Sequence, residues 1–296
     1  MSTPRTALVT GANQGLGRAL VEGIAARWTP ADTVLLTGRD PDRVAAAAQG
    51  VGPGGAQVAG LVLDVTDGQA VAAVAAQVAR EHGGVDVVVS NACARTTPDQ
   101  APADAVDAVL ETNNLGTIRM LRSFGPILQP GGRMIVVASS FGTLGHLAPA
   151  LRPRFDDVRT LDEVEQVLAR WRAAVHDGRA EAEGWPTWSN VPSKIGQVAA
   201  MRVVAAQRRE RDLADGTLVA AVCPGLIDTE ASRPWFDDMA RAQSPAEAAK
   251  AVLELGLGHG PDPVRYGQLV RFGDVLGWRD EVAAEGQAQA RVSRSR

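Results

Sequence analysis

A chain of 296 residues, 45% hydrophobic and 22% charged, has ordinary globular composition and enough length for one large or two small domains. A formal charge of −4 gives no basic field for nucleic acid or an anionic membrane, although the closing RVSRSR is locally basic. Cys93 and Cys223 are too few for a disulfide framework, MSTPRTALVTG lacks the apolar core of a signal peptide, and no apolar run approaches the roughly 18 to 20 residues that cross a bilayer. A reduced, cytoplasmic protein is expected.

In chain order, the strand-like runs are TALVT (6–10), TVLLT (33–37), VAGLVLDV (58–65), VDVVVS (85–90), RMIVVAS (133–139) and TLVAAVC (217–223). Between them lie 15–28, 41–48, 68–82, 103–125 and 194–212, whose apolar positions recur at three and four as in helices. Strands without polar alternation are buried on both faces, which requires a parallel sheet covered by helices. The expected fold is α/β, a doubly wound parallel sheet of the Rossmann kind forming a single domain over 1–296. GVGPGGA (50–56) is a flexible turn before the third strand. Residues 150–188, with FDDVRTLDEVEQVLARWRAAV, exceed what a strand-to-helix connection needs and read as an inserted helical subdomain. Residues 285–296 read as a flexible tail. The abundance of alanine and the use of 28 arginines against two lysines, Lys194 and Lys250, suit a GC-rich bacterial genome.

The first strand runs directly into Gly11, Asn13, Gln14, Gly15, Leu16 and Gly17, after which a helix begins. Glycines in that context allow a tight turn and close backbone approach, so the helix N-terminus can present its N–H groups to a pyrophosphate. The second strand ends in LLTGRD, where an acidic residue would hold the ribose 2′-hydroxyl of NAD and the fork of Arg39 suits a 2′-phosphate, so NADP(H) is the expected cofactor. Asp40 beside Arg39 works against that preference. Asp64, with Val65, ends the third strand where the adenine edge would lie.

Thr10, Gly11, Gly15 and Gly17, SNAC at 90–93, Asn113, Ser139, Lys194 and CPGLIDT at 223–229 together resemble the short-chain dehydrogenase/reductase family over roughly residues 5 to 275. LTGRD, ETNNLGT, the insertion, and GWP followed by SKIG resemble its monomeric carbonyl reductase branch. The resemblance implies that Asn113 holds a water and orients Lys194, that Ser139 hydrogen-bonds the substrate oxygen, and that Lys194 binds the nicotinamide ribose and lowers a neighbouring hydroxyl's pKa. It places Asn91 at the nicotinamide site and Thr229, after Pro224 and Gly225, at the carboxamide. Ser140 is the alternative to Ser139 one position on; Gly142, three residues after Ser139, favours the latter. A monomer is implied, because in that branch such an insertion covers the helices through which relatives associate.

The sequence departs from the family where the chemistry would be. The family's tyrosine, four residues before the lysine, is Asn190, and an amide donates a hydrogen bond without being a general acid. Tyr266, in VRYGQLV, is the one tyrosine and reads as the start of a late strand away from the chemistry. Cys93 replaces a family glycine and is expected to be buried and inert, with no Lys or His beside it in sequence. Gln14 stands where relatives carry a second basic residue, leaving NADP selectivity to Arg39. His146, or water, is the candidate proton source. His176, Asp156, Asp157 and Glu183 read as the solvated face of the insertion, while Trp185 and Trp188 either wall the substrate or staple the insertion.

Three readings stay open. The first is an atypical NADP(H)-dependent reductase acting on a bulky organic carbonyl, enone or iminium compound. The others are a non-redox cyclase, isomerase or dehydratase on the same scaffold, and a non-catalytic NADP-binding protein. No metal site is expected, since neither HExxH nor paired CxxC occurs.

Overall fold

The structure is a computed structural model and describes residues 3–52 and 54–280. The expected tail at 285–296, including RVSRSR, lies outside the described residues. One eight-stranded sheet has the order β3-β2-β1-β4-β5-β6-β7-β8, parallel throughout except for the antiparallel pair β7 and β8. Its strands are β1 (Thr6–Val9), β2 (Thr33–Gly38), β3 (Gln57–Val62), β4 (Val85–Ser90), β5 (Leu128–Val137), β6 (Leu218–Cys223), β7 (Leu269–Arg271) and β8 (Asp274–Leu276). The order reverses between β1 and β4, and the crevice beyond the strand C-termini at that reversal is where such sheets bind ligands.

β1 and β6 are buried throughout, as runs such as TALV and LVAAVC require of central strands. The expectation of burial on both faces fails for β3. It is the sheet edge, and Val62 is 49% exposed. Its covering helix α2 (Pro41–Gln49) has four alanines in a row and buries only Val44 and Ala47, so edge position overrides an apolar sequence.

The remaining helices are α1 (Gly15–Ala25), α3 (Gly68–His82), α4 (Pro102–Val109), α5 (Gly116–Phe124), α6 (Arg152–Asp156), α7 (Leu161–His176), α8 (Asn190–Asp215) and α9 (Pro245–Gly256). The single helix expected over 103–125 is α4 and α5 joined by a π-helical turn, Leu110–Leu115. Helix α8 starts at Asn190 rather than Lys194, so Asn190 sits on its first turn. The insertion contributes α6 and α7. Thr160 and Glu163 form a capping box, and Val164, Val167, Leu168, Trp171 and Ala174 turn inward. Arg172 Nε lies 2.6 Å and His176 Nε2 2.9 Å from the Asp107 carboxylate on α4, so part of the insertion's polar face is paired with the body. Asp156 is likewise engaged, accepting from Trp278 Nε1 at 2.9 Å and Arg279 Nε at 2.8 Å.

Tyr266 lies in the turn before β7, buried, with its hydroxyl 2.8 Å from Asp212 Oδ2 near the far end of α8. Burial, and then the Asp212 carboxylate, push the phenol well above its ordinary range, so this hydroxyl holds structure together and is no reserve acid.

Candidate active site

Glycine at three positions from the loop after β1 into the first turn of α1 has a geometric cause. Gly11 has φ +62°, and a side-chain carbon there would lie 2.9 Å from Ala92 Cα. Gly15 has φ +54° and lies against Thr229, whose Cγ2 would be 3.6 Å from such a carbon, so the segment after β6 closes over the loop. A carbon on Gly17 would stand 2.5 Å from Gly11 O. Gln14, the N-cap of α1, makes no side-chain capping bond, which leaves the first-turn N–H groups to an outside acceptor. An oxygen-rich anion fits this cradle. Asn91 locks it: its side chain donates to Thr10 O at 2.9 Å and Gly11 O at 3.3 Å, while the backbone N–H groups of Asn91 and Ala92 both reach Thr10 Oγ1. The Asn91 amide thus faces the phosphate loop. Pro224 and Gly225 are held from below, with Gln243 Nε2 donating to Pro224 O at 3.2 Å.

Arg39 is exposed at the tip of β2, as expected, but it is not alone. Asp40 caps α2, accepting from Arg43 N at 3.0 Å, so its carboxylate belongs to the helix end. The same cap places Arg43 in the first turn, where its guanidinium reaches back to Gln14 Oε1. The Asn13 amide oxygen, in the orientation that satisfies its neighbours, accepts from Arg43 at 3.2 Å. The second cation absent from the loop sequence is therefore supplied from α2. The pattern Asp-Pro-x-Arg, a cap followed by its third helical residue, was the available signal. Asp64 Oδ1 is taken by Thr66 N and Oγ1, at 2.9 and 2.8 Å, which orients the carboxyl at the end of the third strand beside buried Val65.

At the other end, the π-helical turn brings two consecutive asparagines onto α8. Asn113 is buried; its Oδ1 accepts from Ala94 N at 2.8 Å and its Nδ2 reaches Ser193 Oγ at 3.3 Å. Asn114 Nδ2 donates to Ser193 O at 2.8 Å, while its Oδ1 is buried without a partner. Asn113 thus meets Ser193, the residue before Lys194, and not Lys194 itself. Lys194 is buried, and its ammonium donates to Val137 O at 3.2 Å and Gln197 Oε1 at 2.8 Å. Gln197 passes the contact to Thr117 Oγ1 at 2.9 Å. Burial holds Lys194 below the ordinary lysine range, and the titratable groups that act against this are the thiols of Cys93 and Cys223. Gln197 and Ser193 escaped the sequence reading because amides and hydroxyls in a helix carry no spacing signature.

Ser139 caps the short turn Ser140–Gly142, its Oγ accepting from Phe141 N at 3.3 Å, which leaves the hydroxyl proton free to donate. Gly142 is required there: a side-chain carbon would stand 2.7 Å from Val198 and 3.2 Å from Lys194 O, so the turn packs directly on α8. Asn190, half-buried on the first turn of α8, is one helical turn from Lys194.

Three expectations change here. Cys93 is exposed rather than buried, and Lys194 is its neighbour in space though not in sequence. His146 is half-buried with Nε2 3.1 Å from Ser140 O, an acceptor, so that nitrogen carries the proton; burial keeps the ring below its ordinary pKa of 6.5 and neutral at pH 7. With its N–H committed, His146 is a poor source for a substrate proton. Trp185 and Trp188 differ in burial and partners: Trp185 is buried against Phe155 and Trp171 of the insertion, while Trp188 is half-buried and meets Phe141, Trp235 and Phe236.

The short chain dehydrogenase pattern matches residues 5–149. Carbonyl reductase (NADPH) 3 of Mus musculus is 32% identical over 290 residues, covering 94% of this chain and 99% of that protein. Carbonyl reductase (NADPH) 1 of Sus scrofa is 30% identical over 282 residues, covering 94% and 95%. The chain belongs to the short-chain dehydrogenase/reductase family. Among solved structures, salutaridine reductase from Papaver somniferum superposes with a TM-score of 0.75 at 21% identity, over 90% of this chain and 99% of that one, a likeness of fold. In this chain Asn190 stands one helical turn before Lys194 on α8.

Proposed function

We propose that this short-chain dehydrogenase/reductase uses NADP(H) to reduce a bulky organic carbonyl, conjugated enone or iminium compound that needs little proton assistance. The observation that carries the reading is the pairing of two guanidinium groups, Arg39 and Arg43, at the adenosine end with a buried Lys194, held by Val137 O and Gln197, at the other. The first suits a 2′-phosphate, and the second leaves one ammonium N–H beyond its two protein acceptors for a ribose hydroxyl. When bound, the cofactor would supply hydride.

This chain's residues would hold and orient. Ser139 donates its free proton to the substrate oxygen, and the loop at 224–229 closes on the phosphate cradle through Thr229. Asn190 donates a neutral hydrogen bond, which polarises an acceptor without protonating it. An iminium carbon needs no proton on reduction, and an enone accepts hydride at carbon with charge spread onto its oxygen, so both tolerate the missing acid better than a simple ketone does. The names of the relatives, carbonyl reductases using NADPH, support the cofactor and the acceptor class.

The test is a scan of carbonyl, enone and iminium acceptors with NADPH and NADH, followed by the nicotinamide absorbance. Loss of NADPH with at least one activated acceptor is expected, and Lys194→Ala should abolish it. Conversion of a substrate with no change in that absorbance would favour the non-redox reading. Binding of NADPH with no conversion of any acceptor would favour a non-catalytic binding protein.

A further inference from the structure

Strands β7 and β8 form a hairpin in which Arg271 pairs with Asp274, so its loop is two residues, Phe272 and Gly273. Both have positive φ, +50° and +92°, the type I′ geometry that matches the right-handed twist of the strands. Asparagine or glycine adopts the first of those positions readily, whereas a phenylalanine there is strained. Phe272 is the one residue other than glycine with positive φ among the described residues. Burial does not offset the strain, because Phe272 is 53% exposed.

The tip of the ring rests on the segment that follows β6. β7 runs parallel to β6 with Arg271 opposite Cys223, so the hairpin turn stands level with Pro224 and Gly225, beyond the strand C-termini. A side-chain carbon on Gly225, whose φ is +84°, would lie 2.9 Å from Phe272 Cζ and 2.7 Å from Gln243 Nε2, so the absent side chain is what lets both groups close on the backbone. Gln243 is tied to the same segment by hydrogen bonds, its amide to Pro224 O and its backbone to Leu226 O and Asp228 N. Phe272 adds a contact from a different element. Arg265 Nε donates to Gly273 O at 3.1 Å, and the Arg271 guanidinium lies 5.3 Å from the ring, so the turn and its ring each have an anchor. Further along the segment, Thr229 meets Gly15 of the phosphate loop.

We propose that Phe272 is a positioning residue that keeps the segment 224–229 seated on the phosphate loop while straining its own turn. That the seated segment retains NADP(H) rests on the cofactor reading; that Phe272 seats it does not. Stability and function then pull in opposite directions at this position. The residue that the turn favours would relax the backbone and loosen the segment, and the residue present does the reverse. A side chain kept only for packing has no such opposition, since removing it lowers stability and loosens its neighbours together.

The test compares the unaltered full chain with Phe272→Asn and Phe272→Tyr. Thermal unfolding and amide hydrogen exchange are measured without cofactor, and the release of bound NADPH is followed in a stopped-flow chase with NADP+. Phe272→Asn should raise the unfolding midpoint by about 2 °C or more as the strain is relieved. The same variant should exchange faster at residues 225–229 and release NADPH roughly fivefold faster, the scale set by half-burying one phenyl ring. Phe272→Tyr keeps the ring and should match the unaltered protein in exchange and release. A Phe272→Asn protein that is less stable and exchanges faster throughout would make the ring ordinary packing and overturn the proposal. Unchanged exchange at 225–229, or unchanged release of NADPH that does bind, would overturn it too. If the unaltered protein binds neither NADPH nor NADH, the cofactor reading fails, and the exchange at 225–229 alone decides for or against the brace.

Discussion

Arg43 offers the sharpest check on cofactor choice, because from the first turn of α2 it reaches back to the phosphate loop. Its guanidinium is anchored to Gln14 Oε1, and its backbone N–H binds the Asp40 carboxylate that would otherwise repel a phosphate beside Arg39. A hydrogen bond to a charged group contributes about 1.5 to 3 kcal/mol, and both arginines are exposed, so the lower figure applies. Arg43→Ala should therefore weaken NADPH binding roughly tenfold, and Arg39→Ala by a similar factor. The double variant should lose less than roughly a hundredfold, since two cations sharing one phosphate couple. NADH carries no 2′-phosphate, and its affinity should stay unchanged in all three proteins. Calorimetric titration with both cofactors at two salt concentrations reads this, and the NADPH losses should shrink at high salt. If Arg43→Ala weakens NADH as much as NADPH, the residue merely braces the loop through Gln14 and the two-cation argument fails.

Restoring a phenol at the acid position tests the missing proton. Asn190→Tyr should raise NADPH oxidation with simple aldehydes by roughly 10² to 10⁴, the usual contribution of one general acid, and an unchanged rate would mean the crevice is misshapen as well as disarmed. His146 predicts a pH signature: its folded pKa lies below 6.5 because of burial, so the unfolded chain takes up the proton first. Stability should therefore fall as pH drops through about 6.5 and be insensitive to this group above it. Urea unfolding of His146→Gln should lack that part of the slope, and an identical slope would refute the assignment. The protein should scatter light as a monomer, because α7 covers α4 and is fastened to it through Asp107 by Arg172 and His176. A stable tetramer at low concentration would refute that.

The central strands, the phosphate loop and the lysine of α8 were legible because each rests on a local rule: apolar runs, glycine before a helix, and a fixed spacing within one element. What the sequence concealed depends on distance in space. VAGLVLDV is as apolar as its neighbours, yet β3 lies at the edge, since nothing in a strand records whether another strand follows it. The π-helical turn in α4–α5 follows from Asn113 and Asn114 both meeting Ser193, a contact across 80 residues for the first. Cys93 looked buried from its sequence neighbours, yet its side chain is exposed. Trp185 and Trp188, three residues apart, meet different partners, Phe155 and Trp171 for the first and Phe141, Trp235 and Phe236 for the second.

Lys194 shows what the site is organised to do. A buried ammonium is unfavourable unless its donors are met, and here its acceptors are neutral: a backbone carbonyl and the Gln197 amide, which in turn leans on Thr117 and Ser90. No carboxylate stands among the groups that raise its pKa; only the thiols of Cys93 and Cys223 do. In a relay ending at a phenol, the cation stabilises the phenolate that forms beside it, but Asn190 never becomes an anion, so that return is absent. Under the proposed function, the third donor would meet the hydroxyls of a bound ribose. A cation maintained for cofactor geometry rather than for a proton relay suits hydride acceptors that need no proton at the moment of transfer.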